Sequence, residues 1–111
     1  MSFRVAITEQ AEREMQSAFN WWAEHRSKRQ ADRWYAGLAK AIADLSKNPE
    51  RHGPSKERDR FGYEIRDLLF GSGRRPTHRA VFTIRGEDVV VLTIRHTAQQ
   101  DLSPDDIVGI Q

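Results

Sequence analysis

Residues 77–96, THRAVFTIRGEDVVVLTIRH, contain the pattern that decides the fold. Two runs rich in β-branched and aromatic residues, 80–84 and 89–94, flank a polar segment that contains Gly86. Such runs favour strands, and a glycine between them supplies the positive φ that a tight hairpin needs. We therefore predict an antiparallel hairpin with Gly86 and Glu87 as its two-residue loop.

The loop length sets the register of this hairpin. With a two-residue loop, Ile84 pairs with Val89 and Arg79 pairs with Ile94, and side chains directly opposite share a face. Arg79 and His96 are then diagonal neighbours on one face, at the open end of the hairpin. A one-residue bulge would place them on opposite faces.

Length and composition limit the class of protein. The 111 residues predict one domain, 1–111, with a single core. The chain has no cysteine, which excludes disulfides and thiolate sites, and it has no apolar run of membrane-spanning length. Residues 51–95 carry ten basic and six acidic side chains, about +4, and arginine supplies most of the positive charge. We expect a cytoplasmic protein with an arginine-rich surface suited to phosphate or carboxylate groups.

The first half of the chain predicts a strand followed by two helices. Residues 3–7 alternate as in a strand, and Thr8 is a plausible N-cap for a helix that follows. A second helix is predicted from about Ser27 to Lys47, ending before Pro49. Each helix has an apolar stripe with steps of three and four residues. The stripes are Ala11, Met15, Ala18 and Trp22, and Ala31, Trp34, Leu38, Ala41 and Leu45.

After a charged loop, residues 48–60, the segment 61–70 is predicted to be a strand that precedes the central hairpin. The order is therefore β-α-α-β-β-β. This order predicts an α+β fold, an antiparallel sheet with a helical hairpin packed on one face. Its other face, bearing Arg66, Arg79 and His96, would be open or covered by a partner. An arginine there would contribute little to packing.

Several motifs occur together in a characteristic order. The segments are Trp21-Trp22 and Trp34-Tyr35, then Asn48-Pro49-Glu50-Arg51-His52, Glu64-Ile65-Arg66, His78-Arg79-Ala80-Val81-Phe82 and Val91-Leu92-Thr93-Ile94-Arg95-His96. With these motifs the chain resembles the RelE/ParE superfamily of toxins from type II toxin–antitoxin systems, which include plasmid stabilisation proteins. The resemblance extends from residue 3 to about residue 102.

The resemblance implies one of two activities. RelE-like toxins cut messenger RNA on the ribosome without a metal or cofactor. In that case Arg79 would hold the phosphate, His96 would transfer a proton, and Glu50, or alternatively Glu57, would act as base. Further substrate contacts would come from Arg66, Arg74, Arg75 and Arg95. The tyrosine that many RelE-like enzymes carry just after the last strand is absent here.

ParE-like toxins instead bind DNA gyrase and do no bond chemistry, so the chain would then not be an enzyme. Arg79 and His96 are compatible with both branches, and the sequence does not resolve them. In either branch the resemblance implies a cognate antitoxin as partner, contact with operator DNA only through that antitoxin, and no membrane. A third possibility is a non-toxic DNA-binding co-repressor that acts together with its antitoxin.

Overall fold

The computed structural model describes residues 2–71 and 75–108. Within them, two helices pack on a four-stranded sheet. The elements are β1 (Arg4–Ile7), α1 (Glu9–His25), α2 (Lys28–Ala43), β2 (Arg66–Phe70), β3 (His78–Arg85) and β4 (Asp88–His96). The strand order in the sheet is β1-β4-β3-β2. The α+β class and the helical hairpin on one face are confirmed.

Capping residues set where the two helices begin. The Thr8 hydroxyl accepts a hydrogen bond from the Ala11 N–H, so it is the predicted N-cap of α1. The Ser27 hydroxyl caps α2 in the same way, accepting from the Gln30 N–H. Each cap satisfies a backbone donor that the first turn leaves free. Only two residues separate α1 from α2, which forces the antiparallel hairpin.

The sheet is mixed, which corrects the prediction that it is wholly antiparallel. β2 and β4 both pair antiparallel with β3, but β1 pairs parallel with the outer edge of β4. The alternation that identifies a strand contains no information about its direction. β1 and β4 lie about eighty residues apart and are not joined by a hairpin, so turn chemistry does not fix their orientation either.

The central hairpin contains a β-bulge. Near the turn Ile84 pairs with Val89, as predicted, but the register shifts between Val81 and Phe82. Arg79 consequently pairs with Arg95, not with the predicted Ile94. The prediction that Arg79 and His96 share one face is therefore wrong, because one extra residue reverses the side-chain alternation beyond it.

Helix α1 satisfies the backbone of β4 where β1 no longer covers it. The Thr8 hydroxyl donates to the Leu92 carbonyl at 3.1 Å. The Glu14 carboxylate accepts from the Ile94 N–H at 3.0 Å and from the Thr93 hydroxyl at 2.7 Å. Side chains of α1 and of its N-cap thus replace the missing neighbouring strand beside the bulge.

Both faces of the sheet are covered by the chain itself. The helices cover one face with a core that includes Leu38, Ile42 and Phe82. On the other face, residues from the 55–65 loop and from residues 97–108, the C-terminal segment, pack over Val81 and Leu92. These covering residues are Phe61, Ile65, Leu102 and Ile107. The predicted open face is thus wrong, because the loop and the tail carry enough apolar side chains to bury it.

Within the described residues, neither helix is long and apolar enough to cross a membrane.

Candidate functional site

A pair of histidines marks the open end of the central hairpin. His78 on β3 lies directly opposite His96 on β4. Their rings meet edge to face, with centroids 5.1 Å apart and an interplanar angle of 73°. His78 also contacts the Trp34 ring, at 5.0 Å between centroids, so the pair lies on the helix side of the sheet.

His96 is exposed but held in place by a tight turn. The Ala98 N–H donates to His96 Nδ1 at 3.0 Å, and the Gln99 side-chain oxygen accepts from the His96 backbone N–H at 2.7 Å. Because Nδ1 accepts a hydrogen bond, the proton of the neutral ring lies on Nε2. The ring therefore presents a positioned donor at the end of the sheet.

The histidine pair borders an apolar cavity of about 370 Å³. The cavity is lined by Ala18, Trp21, Trp22, Thr77, His78 and His96. Trp21 is 47% exposed, which is unusual for so large an apolar side chain. Trp22 also lines a second cavity, of about 310 Å³. Concave apolar surface with a few polar groups is typical of binding sites.

Arg79 lies on the opposite side of the sheet, inside the protein. It is 5% exposed and contacts two carboxylates. Its guanidinium donates to both oxygens of Glu57, at 2.6 and 2.8 Å, and to Asp67 at 3.1 Å. The Leu102 N–H donates to the same Glu57 carboxylate at 2.8 Å. Arg79 thus stabilises a buried ion network that ties the 55–65 loop and the C-terminal segment to the sheet.

Burial and hydrogen bonding compete in setting the pKa values of this network. Burial alone would raise the pKa of Glu57, but the hydrogen bonds from Arg79, Leu102 and Ser55 outweigh it and lower the pKa to about 2. Burial raises the pKa of Asp67, and Arg79 offsets this effect only in part. The hydrogen bonds with Glu57 raise the pKa of Arg79. Glu57 is therefore the principal anionic partner of Arg79 at neutral pH.

The half-buried His78 is neutral at pH 7. Burial, and then the neighbouring His96, lower the pKa of His78 to about 4. A neutral imidazole packs against the Trp34 ring without the desolvation cost of a charge.

Acidification is expected to destabilise the protein in two overlapping pH windows. The pKa of His78 lies below the ordinary value of 6.5. The stability that neutral His78 contributes to the fold is therefore complete above pH 6.5 and is lost as the pH falls towards about 4. The contribution of Glu57 is complete above pH 4.5 and is lost towards about 2. Asp67, whose pKa is raised, acts in the opposite sense and reduces the second loss.

Chemical denaturation at a series of pH values would measure both windows. In His78→Gln the slope of unfolding free energy against pH should flatten between pH 6.5 and 4, and in Glu57→Gln it should flatten between 4.5 and 2. Slopes identical to the parent protein in both variants would contradict the prediction.

The other predicted site residues are dispersed. Glu50 is exposed on a short turn, and its backbone carbonyl accepts a hydrogen bond from Arg66. Arg66 also pairs with the Glu64 carboxylate at 2.9 Å and lies opposite Phe82, hence on the helix face and not beside Arg79. It is four strand positions from His78 and its neighbour His96. The structure therefore does not bring Glu50, Arg66, Arg79 and His96 together.

The remaining predicted arginines differ in their surroundings. Arg75 is exposed just before β3. Arg95 lies on the same face as Arg79 and donates to the Gln100 carbonyl at 2.8 Å. Arg74 lies outside the described residues. The substrate-binding role of these three arginines stays a prediction.

Sequence reasoning missed His78 as a partner of His96. The sequence does contain a signal for this pair, because His78 lies just before the first predicted strand of the hairpin and His96 lies at the end of the second. Only the bulge brings them into register. Among the described residues, no group of three or more histidine or acidic side chains could hold a metal ion.

A helical hairpin on a four-stranded mixed sheet, with functional candidates at the sheet's open end, is the architecture expected for RelE/ParE-type toxins. The chain belongs to the family of ParE toxins of type II toxin–antitoxin systems, since the model described as "ParE toxin of type II toxin-antitoxin system, parDE" matches residues 5–101. The predicted superfamily is thereby confirmed. By its family, the chain is therefore the toxin of a type II toxin–antitoxin system.

Two solved structures share the fold. One belongs to the chromosomal ParDE toxin–antitoxin system from P. aeruginosa, with a TM-score of 0.67 and 15% identity, covering 86% of this chain and 96% of that chain. The other is in the RelBE2 toxin–antitoxin complex from Mycobacterium tuberculosis, with a TM-score of 0.58 and 23% identity, covering 86% and 99%. No curated protein matches the sequence significantly.

Proposed function

We propose that this protein is a toxin that inhibits DNA gyrase by binding it, and that a cognate antitoxin holds it inactive. The toxin class follows from the family, and the choice of gyrase over messenger RNA is the proposal. Contact with operator DNA would occur only through the antitoxin. The observation that supports the gyrase branch is the position of Arg79.

Metal-free RNA cleavage needs a cation on the scissile phosphate close to the groups that transfer protons. Arg79, the residue that would fill this role, is 5% exposed and lies on the opposite face from His96. Withdrawing its charge from Glu57 and Asp67 would leave two carboxylates in a buried site, at a cost of several kcal/mol. Arg79 is therefore a poor phosphate ligand, and this favours an activity that needs no bond chemistry.

The histidine end of the sheet instead suits recognition of a protein. It combines an apolar cavity, the exposed Trp21 and a positioned imidazole donor on His96. Tryptophan is enriched among the residues that contribute most to protein–protein affinity. We infer that gyrase engages the toxin at this end.

A single observation favours the second candidate, ribosome-dependent mRNA cleavage. The His78 and His96 rings lie 5.1 Å apart beside the cavity, and two imidazoles can serve as base and acid in metal-free RNA cleavage. Two of the arginines predicted to contact the phosphate are engaged elsewhere, because Arg66 pairs with Glu64 and Arg79 pairs with Glu57.

A pair of assays with the variant His96→Gln separates the candidates. Purified toxin should abolish supercoiling by gyrase and should leave messenger RNA intact in a translating extract. In a gyrase binder, His96→Gln removes about one hydrogen bond, roughly 1–2 kcal/mol, so inhibition should weaken about 5–30-fold. In a ribonuclease the same change should reduce cleavage at least about a hundredfold. Thermal melts would confirm that the variant is folded.

Cell growth tests the toxicity of the protein and its neutralisation by the antitoxin. Induction of the toxin alone should stop growth, and co-expression of the cognate antitoxin should restore it. Codon-dependent mRNA breaks together with undiminished supercoiling would refute the gyrase proposal. Normal growth at high soluble expression of the toxin alone would count against toxicity itself.

A further inference from the structure

We propose that three arginines at the turn of the helical hairpin bind the phosphates of duplex DNA, and that this DNA is the substrate of the gyrase to which the toxin binds. The arginine tip is defined by Arg26, Arg29 and Arg33. The inference rests on the proposed function, because it gives the toxin a second contact within a complex of gyrase and DNA. This contact is distinct from contact with operator DNA, which the antitoxin would make.

The arginine tip carries positive charge that the chain itself does not neutralise. All three side chains are exposed, and none forms an ion pair within the described residues. Residues 24–33 contain four basic and two acidic side chains. Of the two acids, Asp32 already pairs with Lys28 at 3.4 Å, and the other is Glu24. The excess positive charge therefore lies on exposed arginines, where an external anion can reach it.

The start of α2 adds to this positive charge. α2 begins at Lys28 and has no acidic residue in its first turn, whereas α1 has Glu9 and Glu12 there. The N-terminus of a helix is the positive end of its dipole, so acidic residues stabilise it and basic residues do not. Lys28 and Arg29 thus oppose the stability of the isolated helix. A local arrangement that opposes stability is expected where the end of a helix binds an anion.

The type and spacing of the side chains suit phosphate. The planar guanidinium of arginine can donate two hydrogen bonds to one phosphate. Arg29 and Arg33 lie one turn apart on α2, about 6 Å along the helix axis, and so project to the same side. Arg26 ends α1 on the other side of the turn. Contacts of this kind hold a protein on DNA without reading its sequence.

The arginine tip adjoins the end of the molecule at which gyrase is proposed to bind. Trp21 lines the cavity beside His96 and stacks on His25, with ring centroids 4.7 Å apart. His25 directly precedes Arg26, so contacts along α1 link the cavity to the arginine tip. Gyrase acts on duplex DNA, and a gyrase molecule bound at the cavity can therefore bring its DNA to these arginines.

Duplex DNA fits this surface better than a single-stranded nucleic acid. Proteins bind single strands largely by stacking the bases on free aromatic rings. The exposed ring of Trp21 is already engaged, by His25 in a stack with an interplanar angle of 14° and by Trp22 edge to face at 5.6 Å. A duplex keeps its bases stacked inside and presents phosphates, which cations alone can bind.

Binding of a random-sequence DNA duplex to the purified full-length toxin tests the surface itself. Fluorescence anisotropy should give a slope of about −2.7 for the logarithm of the binding constant against that of salt concentration, because each of three phosphate contacts contributes about −0.9. Affinity should then fall roughly 40-fold between about 50 and 200 mM salt. Each of Arg26→Gln, Arg29→Gln and Arg33→Gln should reduce the slope by about one.

Arg13→Gln is the matched control. Arg13 is also exposed on a helix, but it lies about 20 Å from Arg26 along α1, well beyond the screening length at physiological salt. Its removal should leave the slope unchanged and the affinity within about twofold of the parent. Lysine at all three positions of the arginine tip should retain the slope, because the charge is kept. Thermal melts would confirm that every variant is folded.

The contribution to gyrase binding is measured with and without DNA. The parent toxin should bind gyrase at least about tenfold more tightly when gyrase carries a DNA duplex, because the two contacts then act together. The variant with all three Arg→Gln changes should lose this gain and keep its affinity for gyrase alone. The proposal is overturned if this variant binds duplex DNA with the slope of the parent, if binding requires one particular sequence, if single-stranded RNA binds more tightly than the duplex, or if DNA adds nothing to gyrase affinity.

Failure of this inference and failure of the proposed function give different results. If the arginine tip is not a DNA surface, the toxin still inhibits supercoiling, and the triple variant matches the parent in every binding assay. If gyrase is not the target, the toxin binds gyrase neither with nor without DNA, which overturns the assignment of the DNA to gyrase. Duplex binding that still depends on the three arginines would then support the DNA surface alone.

Discussion

Arg79→Ala is expected to lower the free energy of unfolding by about 3–5 kcal/mol, enough to leave a small domain marginally stable or unfolded. The substitution removes the guanidinium that binds Glu57 at 2.6 Å and Asp67 at 3.1 Å. Two carboxylates would remain in an environment where Glu57 is only 2% exposed. An uncompensated buried charge costs more than the intact pair contributes, so the loss greatly exceeds the value of one surface ion pair.

Thermal and chemical denaturation would measure this effect, with Arg51→Ala as the control. Arg51 is exposed and forms no ion pair within the described residues, so its removal should change stability by less than about 0.5 kcal/mol. Arg79→Ala combined with Glu57→Ala should cost less than the sum of the single changes, because the two residues form one network. A folded Arg79→Ala that melts like the parent would show that the network contributes nothing to stability.

This prediction also determines how toxicity data on Arg79 are interpreted. The sequence alone predicts an arginine on an open face, whose removal would leave the fold intact. In the structure, loss of toxicity in Arg79→Ala would follow from unfolding alone. Such a result would therefore not identify Arg79 as a catalytic residue.

The elements with local signals could be predicted from sequence. The apolar stripes and the caps Thr8 and Ser27 specify the helical hairpin, because each depends on residues within one or two helical turns. The hairpin turn at Gly86 has φ +60°, the conformation for which glycine is suited. These features need no knowledge of the remainder of the chain.

The site depends on distant contacts and could not be predicted in the same way. The bulge at Val81 and Phe82 is accommodated by Thr8 and Glu14, which lie about eighty residues away from the β4 residues they contact. The ion network similarly joins the 55–65 loop, β2, β3 and the C-terminal segment. Strand alternation states which residues share a face only while the register is regular. One bulge was therefore enough to exchange an expected arginine–histidine site for a pair of histidines.

Leu38→Ala is expected to lower the free energy of unfolding by about 2–5 kcal/mol, whereas Trp22→Ala should cost less, about 1–2 kcal/mol. The two residues belong to the apolar stripes of the helical hairpin, and sequence alone predicts similar losses for both. Leu38 is fully buried in the core, so its truncation leaves a cavity surrounded by packed side chains. Trp22 is only partly buried and lines two cavities, one of them beside the histidine pair, so its removal mainly enlarges a space already open to solvent.

Stability and gyrase inhibition should therefore separate in these two variants. Leu38→Ala should show the larger fall in melting temperature but retain inhibition of gyrase when measured well below its melting temperature, because the apolar cavity beside the histidine pair is unchanged. Trp22→Ala should show the smaller fall in melting temperature and the larger loss of inhibition, because it removes part of the lining of that cavity. Equal losses of stability in the two variants, with gyrase inhibition unaffected in both, would place Trp22 in the core and exclude it from the interface.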